Sequence, residues 1–437
     1  MRSVLLFLAV SMSLNASDTT PTFTRDILPI LQARCQNCHR PGEIGPMPLL
    51  TYQQAKPWAA SIKEAVLTRK MPPWFSVTPN QKFHNDPTLS VAEKEKIANW
   101  ASHGTPEGDP KDARPNPAFG TGWNIGEPDQ IFTPAKPFEV PATGTVDYTY
   151  YIIPAAFDHD VWLATTEFRP QNPAVVHHGE LFIRPPESKW LRDYPAREYF
   201  VPKEQRPKPG APQTVATSAA GSTISEEALI LYVPGYIPEP FPDGVALFVA
   251  AGSDLVFQLH YTPNGKNASD LPSVGVRFAK AAPPNKITRI GIANSTFAIP
   301  PGASNYSVQA KRTLGADCDL YAVYPHMHLR GRSMLLKATY PDGTSEVLLD
   351  VPTYDFKWQQ KFNFAAPKHL PAGTVVEVIA TFDNSANNPY NPAPDKEVRW
   401  GDQTYEEMMI GFLDVSIPST LDKKLLYKAA AKPASAP

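Results

Sequence analysis

Proline sets the terms on which this chain can fold. It fills 49 of 437 positions, about twice its usual ~5% share. Each proline lacks a backbone donor and clashes inside a helix, whereas turns, first helical turns and sheet edges accept it. The pattern therefore predicts short strands and loops over most of the chain, with helix only where proline is sparse. A 42% hydrophobic content, with 11% aromatic residues, still supplies a large core. The 41 Lys and Arg nearly cancel 43 Asp and Glu, for a net charge of −2. A phosphate-backbone partner needs a basic surface, so no nucleic acid is expected.

Arg2, the apolar run Val4 to Val10 and the small-polar stretch to Ala16 match the order of a secretory signal, residues 1–16. That run is too short to span a membrane, and no later one reaches the ~18 residues required. The mature protein is expected to be periplasmic or secreted, with no transmembrane segment.

Residues 21–108 read as helical. Phe23 to Ala33 carries Ile27, Leu28, Ile30 and Leu31, with Pro29 acceptable only in the first turn. Ala55 to Arg69 places Trp58, Ile62, Ala65 and Val66 at helical spacing. Ser90 and Glu93 form a capping-box pair, and Gly104 comes after the last turn as a stop. Pro106 to Pro117 has linker composition, and residues 109–124 are assigned as a Pro-rich linker. Beyond it, strand-like runs recur: Tyr148 to Ile153, Val161 to Phe168, Val176 to Ile183, Val245 to Ala250 and Leu255 to Tyr261 form one set. Ile287 to Ala293, Tyr306 to Ala310, Cys318 to Tyr324, Met334 to Tyr340, Val375 to Phe382 and Met408 to Val415 form another. This rhythm predicts β-sandwiches. Lys189 to Ile224 reads as a Pro-rich surface loop and 426–437 as a disordered tail.

Cys35-Gln36-Asn37-Cys38-His39 is a C-x-x-C-H motif. Two thiols a helical turn apart can each form a thioether with a haem vinyl group, and the adjacent His39 then faces the iron. The alternative is a redox C-x-x-C. Export and a helical rather than βαβ setting favour one covalently bound haem c. Met71, in Lys70-Met71-Pro72-Pro73-Trp74, is the leading second axial ligand, because the prolines would hold the chain extended; Met47 and His84 are its rivals. With its Met-Pro loop and closing helix, this segment resembles a class I cytochrome c.

Five of the ten histidines fall in three strand-like places: His177-His178, His260 and His326-Met327-His328. Alternate strand residues share a face, so His326 and His328 can address one ion. His177 and His178 would point oppositely in a regular strand and need a local twist to share one. Imidazoles suit copper and zinc, and a thioether favours Cu(I). Each site alone is as well explained by ordinary surface or core histidines.

Taken in order, Val176-His177-His178-Gly179-Glu180, Phe257-Gln258-Leu259-His260-Tyr261, Ile299-Pro300-Pro301-Gly302, Tyr324-Pro325-His326-Met327-His328-Leu329-Arg330-Gly331 and Tyr405-Glu406-Glu407-Met408 resemble the copper type II, ascorbate-dependent monooxygenases. This is the family of the peptidylglycine α-hydroxylating and dopamine β-monooxygenases, and the likeness runs over roughly 125–420. It implies that the small all-α cytochrome c-like domain is followed by two all-β jelly-roll sandwiches, 125–280 and 281–425, each holding one of two copper ions, facing one another across a solvent cleft. His177, His178 and His260 match the electron-relaying copper. His326, His328 and Met408 match the copper where O2 binds and a substrate C–H bond is broken.

That chemistry consumes O2 and two electrons, which the fused haem would supply or relay from an electron donor; the substrate would be a small molecule or peptide. Tyr324 stands where the peptidylglycine enzyme has a carboxylate-binding arginine. Ile410 and Phe412 replace its polar pocket residues, which makes a C-terminal glycine a poor substrate. Cys318 is the only cysteine outside the haem motif and reads as buried and inert. The competing expectation is a non-catalytic copper and haem protein for electron transfer or metal sensing.

Overall fold

The computed structural model describes residues 20–115, 117, 122–203 and 227–427. The expected signal segment, residues 204–226 of the Pro-rich excursion and the tail from 428 onward lie outside them. The described chain is predominantly β-sheet with few helices. It falls into two compact units. The smaller holds the segments that end at Gln36, Pro72 and Pro117; the larger takes Asn37–Pro46, Pro73–Thr88 and the described residues from 122 onward.

In the smaller unit, Pro29 stands near the start of α-helix Leu28–Arg34, which continues a wider helical turn over Phe23–Ile27. Helix Val91–Ser102 opens on the expected box: the Glu93 carboxylate accepts the Ser90 N–H at 2.7 Å, and Ser90 Oγ accepts the Glu93 N–H at 3.2 Å. Its end is marked by Gly104 at φ +81°. Ile27, Leu31, Val66, Ile97 and Trp100 form a shared core. The start of the linker-like stretch belongs to this unit. The carbonyls of Pro106 and Glu107 accept the N–H groups of Phe23 and Thr24 at 2.9 Å, and Trp100 donates to Pro106 at 3.1 Å.

The larger unit is organised by one eight-stranded sheet. Its order is Gln130–Phe132, Ser273–Phe278, Val161–Arg169, Val245–Val249, Asn285–Ala293, Ile410–Pro418, Cys318–His326 and Phe362–Leu370. A five-stranded sheet, from Tyr199–Phe200 through Thr149–Ile153, Asp254–Tyr261 and Val176–Arg184 to Glu227–Tyr232, packs on its first half; Leu163, Leu247 and Val274 meet Leu181, Phe257 and Leu259 in one core. A four-stranded sheet of Tyr306–Thr313, Val375–Phe382, Gly331–Thr339 and Ser345–Val351 packs on the second half; Ile290, Val323 and Leu413 meet Val308, Leu336 and Val378. Strict alternation drives this: Val376, Val378, Ala380 and Phe382 are all fully buried, at every second position. The halves are joined by parallel pairing of Val245 with Asn285 and Ala246 with Lys286.

Over its described part the Pro-rich excursion is mostly exposed, as a surface loop would be, but it is anchored. Trp190 and Leu191 are buried against Tyr148, Tyr150, Phe182 and Val256. Arg184 and Arg192 pin its base by pairing with Asp254 at 2.7 and 2.5 Å. The prolines that single out this segment in the sequence carry no information about those apolar anchors.

Candidate metal centre

Strands Val176–Arg184 and Asp254–Tyr261 pair antiparallel, with His178 opposite His260. The register shifts between Val176 and His178, so His177 is the extra residue of a β-bulge. That irregularity supplies the twist that two adjacent histidines need to face one point. One ligand-capable atom from each of His177, His178 and His260 lies within 4.8 Å of the others, so the three can hold a metal ion. His177 and His178 bring their Nδ1 atoms to 3.1 Å. His260 Nε2 is engaged by the Thr404 hydroxyl at 3.2 Å, while its Nδ1 and His177 Nε2 are buried without a hydrogen-bond partner. A buried orphan nitrogen is costly unless something coordinates it.

His326 and His328 sit at and just beyond the end of strand Cys318–His326, their rings 5.3 Å apart. Each is oriented through one nitrogen. His326 Nδ1 meets Gln359 Oε1 at 2.6 Å, and His328 Nδ1 donates to the Glu406 carbonyl at 3.2 Å, leaving His328 Nε2 buried and unpartnered. This is how metal-bound imidazoles are usually held, one nitrogen fixed and the other offered. The acidic pair before Met408 also acts on this turn. The Glu407 carboxylate accepts the backbone N–H of His328 at 2.9 Å and of Arg330 at 2.5 Å. Tyr354 brackets Met327 from the other side, donating to its carbonyl at 2.8 Å and accepting its N–H at 3.2 Å. Met408 and Met409 are both buried, but Met408 is the one beside His326 on a shared cavity.

Burial pushes all five imidazoles toward the neutral form that ligation requires. His177 and His326 are driven down to about 4, and His178, His260 and His328 lie well below their ordinary value. A helper pair that sequence reasoning missed ties the two sets together. The Tyr148 ring lies 4.5 Å from His260, 5.2 Å from His178 and 6.2 Å from His328. Phe356 stacks on His177 at 4.5 Å and reaches His328 at 6.0 Å. No motif flags either residue, because each meets the histidines only through tertiary packing.

The resemblance implies two histidine sets facing one another across a solvent cleft; here Tyr148 and Phe356 each contact both sets. His178, Tyr324, His326, Met408, Ile410 and Phe412 border a cavity of about 20 Å³, space for about one water. Tyr324 donates to Gln359 at 3.0 Å, so this tyrosine supports His326 from the position expected to bear on substrate. Beneath it, Arg289 pairs with Asp414 at 2.7 Å and stands 3.9 Å from Glu180.

The haem motif divides between the units: Cys35 caps helix Leu28–Arg34 in the smaller, whereas Cys38 and His39 lie in the larger. The loop after them is tight. Gly45 N–H donates to the Cys38 carbonyl at 2.9 Å, and a Cβ on Gly45 would stand 2.8 Å from His39 Nδ1. Burial, then the Glu43 charge, push the Cys38 thiol up to about 11, the reverse of the acidic thiol a redox C-x-x-C uses. Both nitrogens of His84 are engaged, by Glu239 at 2.5 Å and the Phe364 carbonyl at 3.1 Å. Met71 and Met47 both lie in the smaller unit, and the chain bends at Met71 and Pro72 where an extended run was expected. Cys318 is buried, its thiol pushed up to about 12, mainly by burial.

No protein-family model and no curated protein matches this chain. Solved structures similar to it include those of infectious bursal disease virus, Gx strain (9% identity, 69% of this chain, 77% of the other, TM-score 0.18) and Gt strain (10%, 69%, 74%, TM-score 0.20). An allantoicase is similar at 7% identity, over 60% of this chain and 85% of its own, with TM-score 0.15. Likeness this slight carries no argument about function. Among the described residues no helix is long and apolar enough to cross a membrane.

Proposed function

We propose that the chain is an exported copper-dependent monooxygenase that hydroxylates a C–H bond of an organic substrate with O2, using electrons supplied or relayed by a covalently attached haem. The observation that carries this reading is the His177–His178–His260 cluster, whose ligand-capable atoms lie within 4.8 Å of one another with His177 Nε2 and His260 Nδ1 unpartnered, together with His326 and His328, whose rings are 5.3 Å apart. His177, His178 and His260 would hold one copper; His326, His328 and Met408 would hold the other. Copper would supply one-electron redox chemistry and a place for O2 to react. The chain's own part is orientation and exclusion: Gln359 and the Glu406 carbonyl aim His326 and His328, and Tyr148 and Phe356 keep water out. A mixed set of nitrogen and thioether donors suits copper better than zinc. The finer architecture belongs to the same reading: two jelly-roll sandwiches preceded by a class I cytochrome c-like unit, with Cys35, Cys38 and His39 attaching the haem and Met71 as second axial ligand.

One observation favours the second reading, a non-catalytic copper and haem carrier: the cavity that His178, His326 and Met408 border has room for about one water. Anaerobic reduction of the copper-loaded protein, and then exposure to O2 and a panel of candidate substrates, separates the two. Hydroxylated product that disappears in Met408→Ile, with copper still bound, is the expected result. Reoxidation without product across the panel would favour the carrier.

A further inference from the structure

Residues 401–408, which bring Met408 up to strand Ile410–Pro418, touch both histidine sets. Their later half serves His328. The Glu406 carbonyl accepts from its Nδ1 at 3.2 Å, and the Glu407 carboxylate accepts its backbone N–H at 2.9 Å. Their earlier half reaches the five-stranded sheet instead. Gln403 Oε1 accepts the Tyr148 N–H at 3.2 Å, and the Tyr148 ring stands 4.5 Å from the His260 ring. The Thr404 hydroxyl meets His260 Nε2 at 3.2 Å, from 144 residues further along the chain. The turn that carries Thr404 is itself held. The Gln403 N–H donates to the Glu406 carboxylate at 3.2 Å, and Trp400 and Glu407 pair across its base.

A neutral imidazole has one N–H and one lone pair, and the hydrogen bond at one nitrogen decides which role the other takes. His260 Nδ1 is buried with no hydrogen-bond partner, while Nε2 faces the hydroxyl. A hydrogen on Nδ1 would be a buried orphan donor, which folded proteins avoid. A hydrogen on Nε2 has a partner, because a threonine hydroxyl accepts as well as donates. We propose that Thr404 is a positioning residue of the His177–His178–His260 centre: its hydroxyl accepts the His260 Nε2–H and so leaves the Nδ1 lone pair free for a metal ion. The inference rests on the copper reading above and adds a dependence to it. A centre built on strands Val176–Arg184 and Asp254–Tyr261 is completed by a side chain from the segment that also bears Met408.

Cupric ion titrated into the full-length protein against a competing chelator tests this. A His326→Ala background lets a single ion report on His177, His178 and His260. Thr404→Val, close in size but without the hydroxyl, should lower the affinity about ten- to a hundredfold, the usual effect of losing the outer partner of a ligating histidine. Thr404→Ser should restore it. Pulsed electron paramagnetic resonance adds a readout that lost packing does not move. The ring nitrogen remote from the ion has a quadrupole coupling set by its hydrogen bond, so one such coupling should change in Thr404→Val and return in Thr404→Ser. Unchanged affinity or an unchanged coupling in Thr404→Val overturns the role of Thr404 and leaves the copper reading standing. A loss that Thr404→Ser fails to restore does the same. Wild-type and His326→Ala proteins that both take up no cupric ion overturn the copper reading, and the proposal with it. If Thr404→Val does not fold, judged by urea melts without metal, Thr404→Ala carries the same expectations.

Discussion

Glu407 is fully buried, yet among the described residues its carboxylate makes no ion pair with a neighbouring strand; it gathers the turn between His326 and Arg330 by accepting two backbone N–H groups. Removing an acceptor from a buried donor costs about 1–3 kcal/mol each. Glu407→Ala should therefore lower the urea midpoint by more than Glu407→Gln, which keeps a carbonyl at the same place. Equal midpoints would mean that the carboxylate is no anchor for this turn. At this scale the histidines that the structure gathers were legible, because H-x-H and paired histidines are local patterns. Gln359, Tyr148 and Phe356 were not. Their partners are far away in sequence, and glutamine or an aromatic side chain looks the same wherever it packs.

Between elements, the decisive contact is Arg289 on strand Asn285–Ala293 against its ladder partner Asp414 on strand Ile410–Pro418, with Lys361 reaching the same carboxylate at 2.6 Å. Burial alone would raise Asp414, but the two cations more than offset it and hold it at about 2. An unfolded aspartate titrates at ~3.9, so this contribution is complete above that pH and is lost as pH falls toward 2. Asp414→Asn should cost about 3–5 kcal/mol at neutral pH, since it leaves buried cations short of their partner. It should also flatten the acid limb of the stability curve, which denaturant melts across pH would record; parallel curves for both proteins would contradict the assignment. The strands expected from alternation are all present within a few residues. Those missed are short, or carry misleading residues. Phe362–Leu370 contains Pro367 and charged neighbours, but it lies at the sheet edge, where proline is tolerated.

For the whole molecule, the eight-stranded sheet matters most, because its own strand Cys318–His326 and the five-stranded sheet packed on it bring His178 and His326, about 150 residues apart in sequence, to one cavity. Composition and alternation announce strands but not which strands become neighbours, so the shared cavity had no signature in the sequence. The direct measurement is copper per chain in the full-length protein after reconstitution and removal of loosely bound metal, alongside His260→Ala and His328→Ala. The account predicts two copper ions in the wild type and one in each variant, with haem content unchanged throughout. A single copper in the wild type, or zinc displacing copper in equal competition, would contradict it.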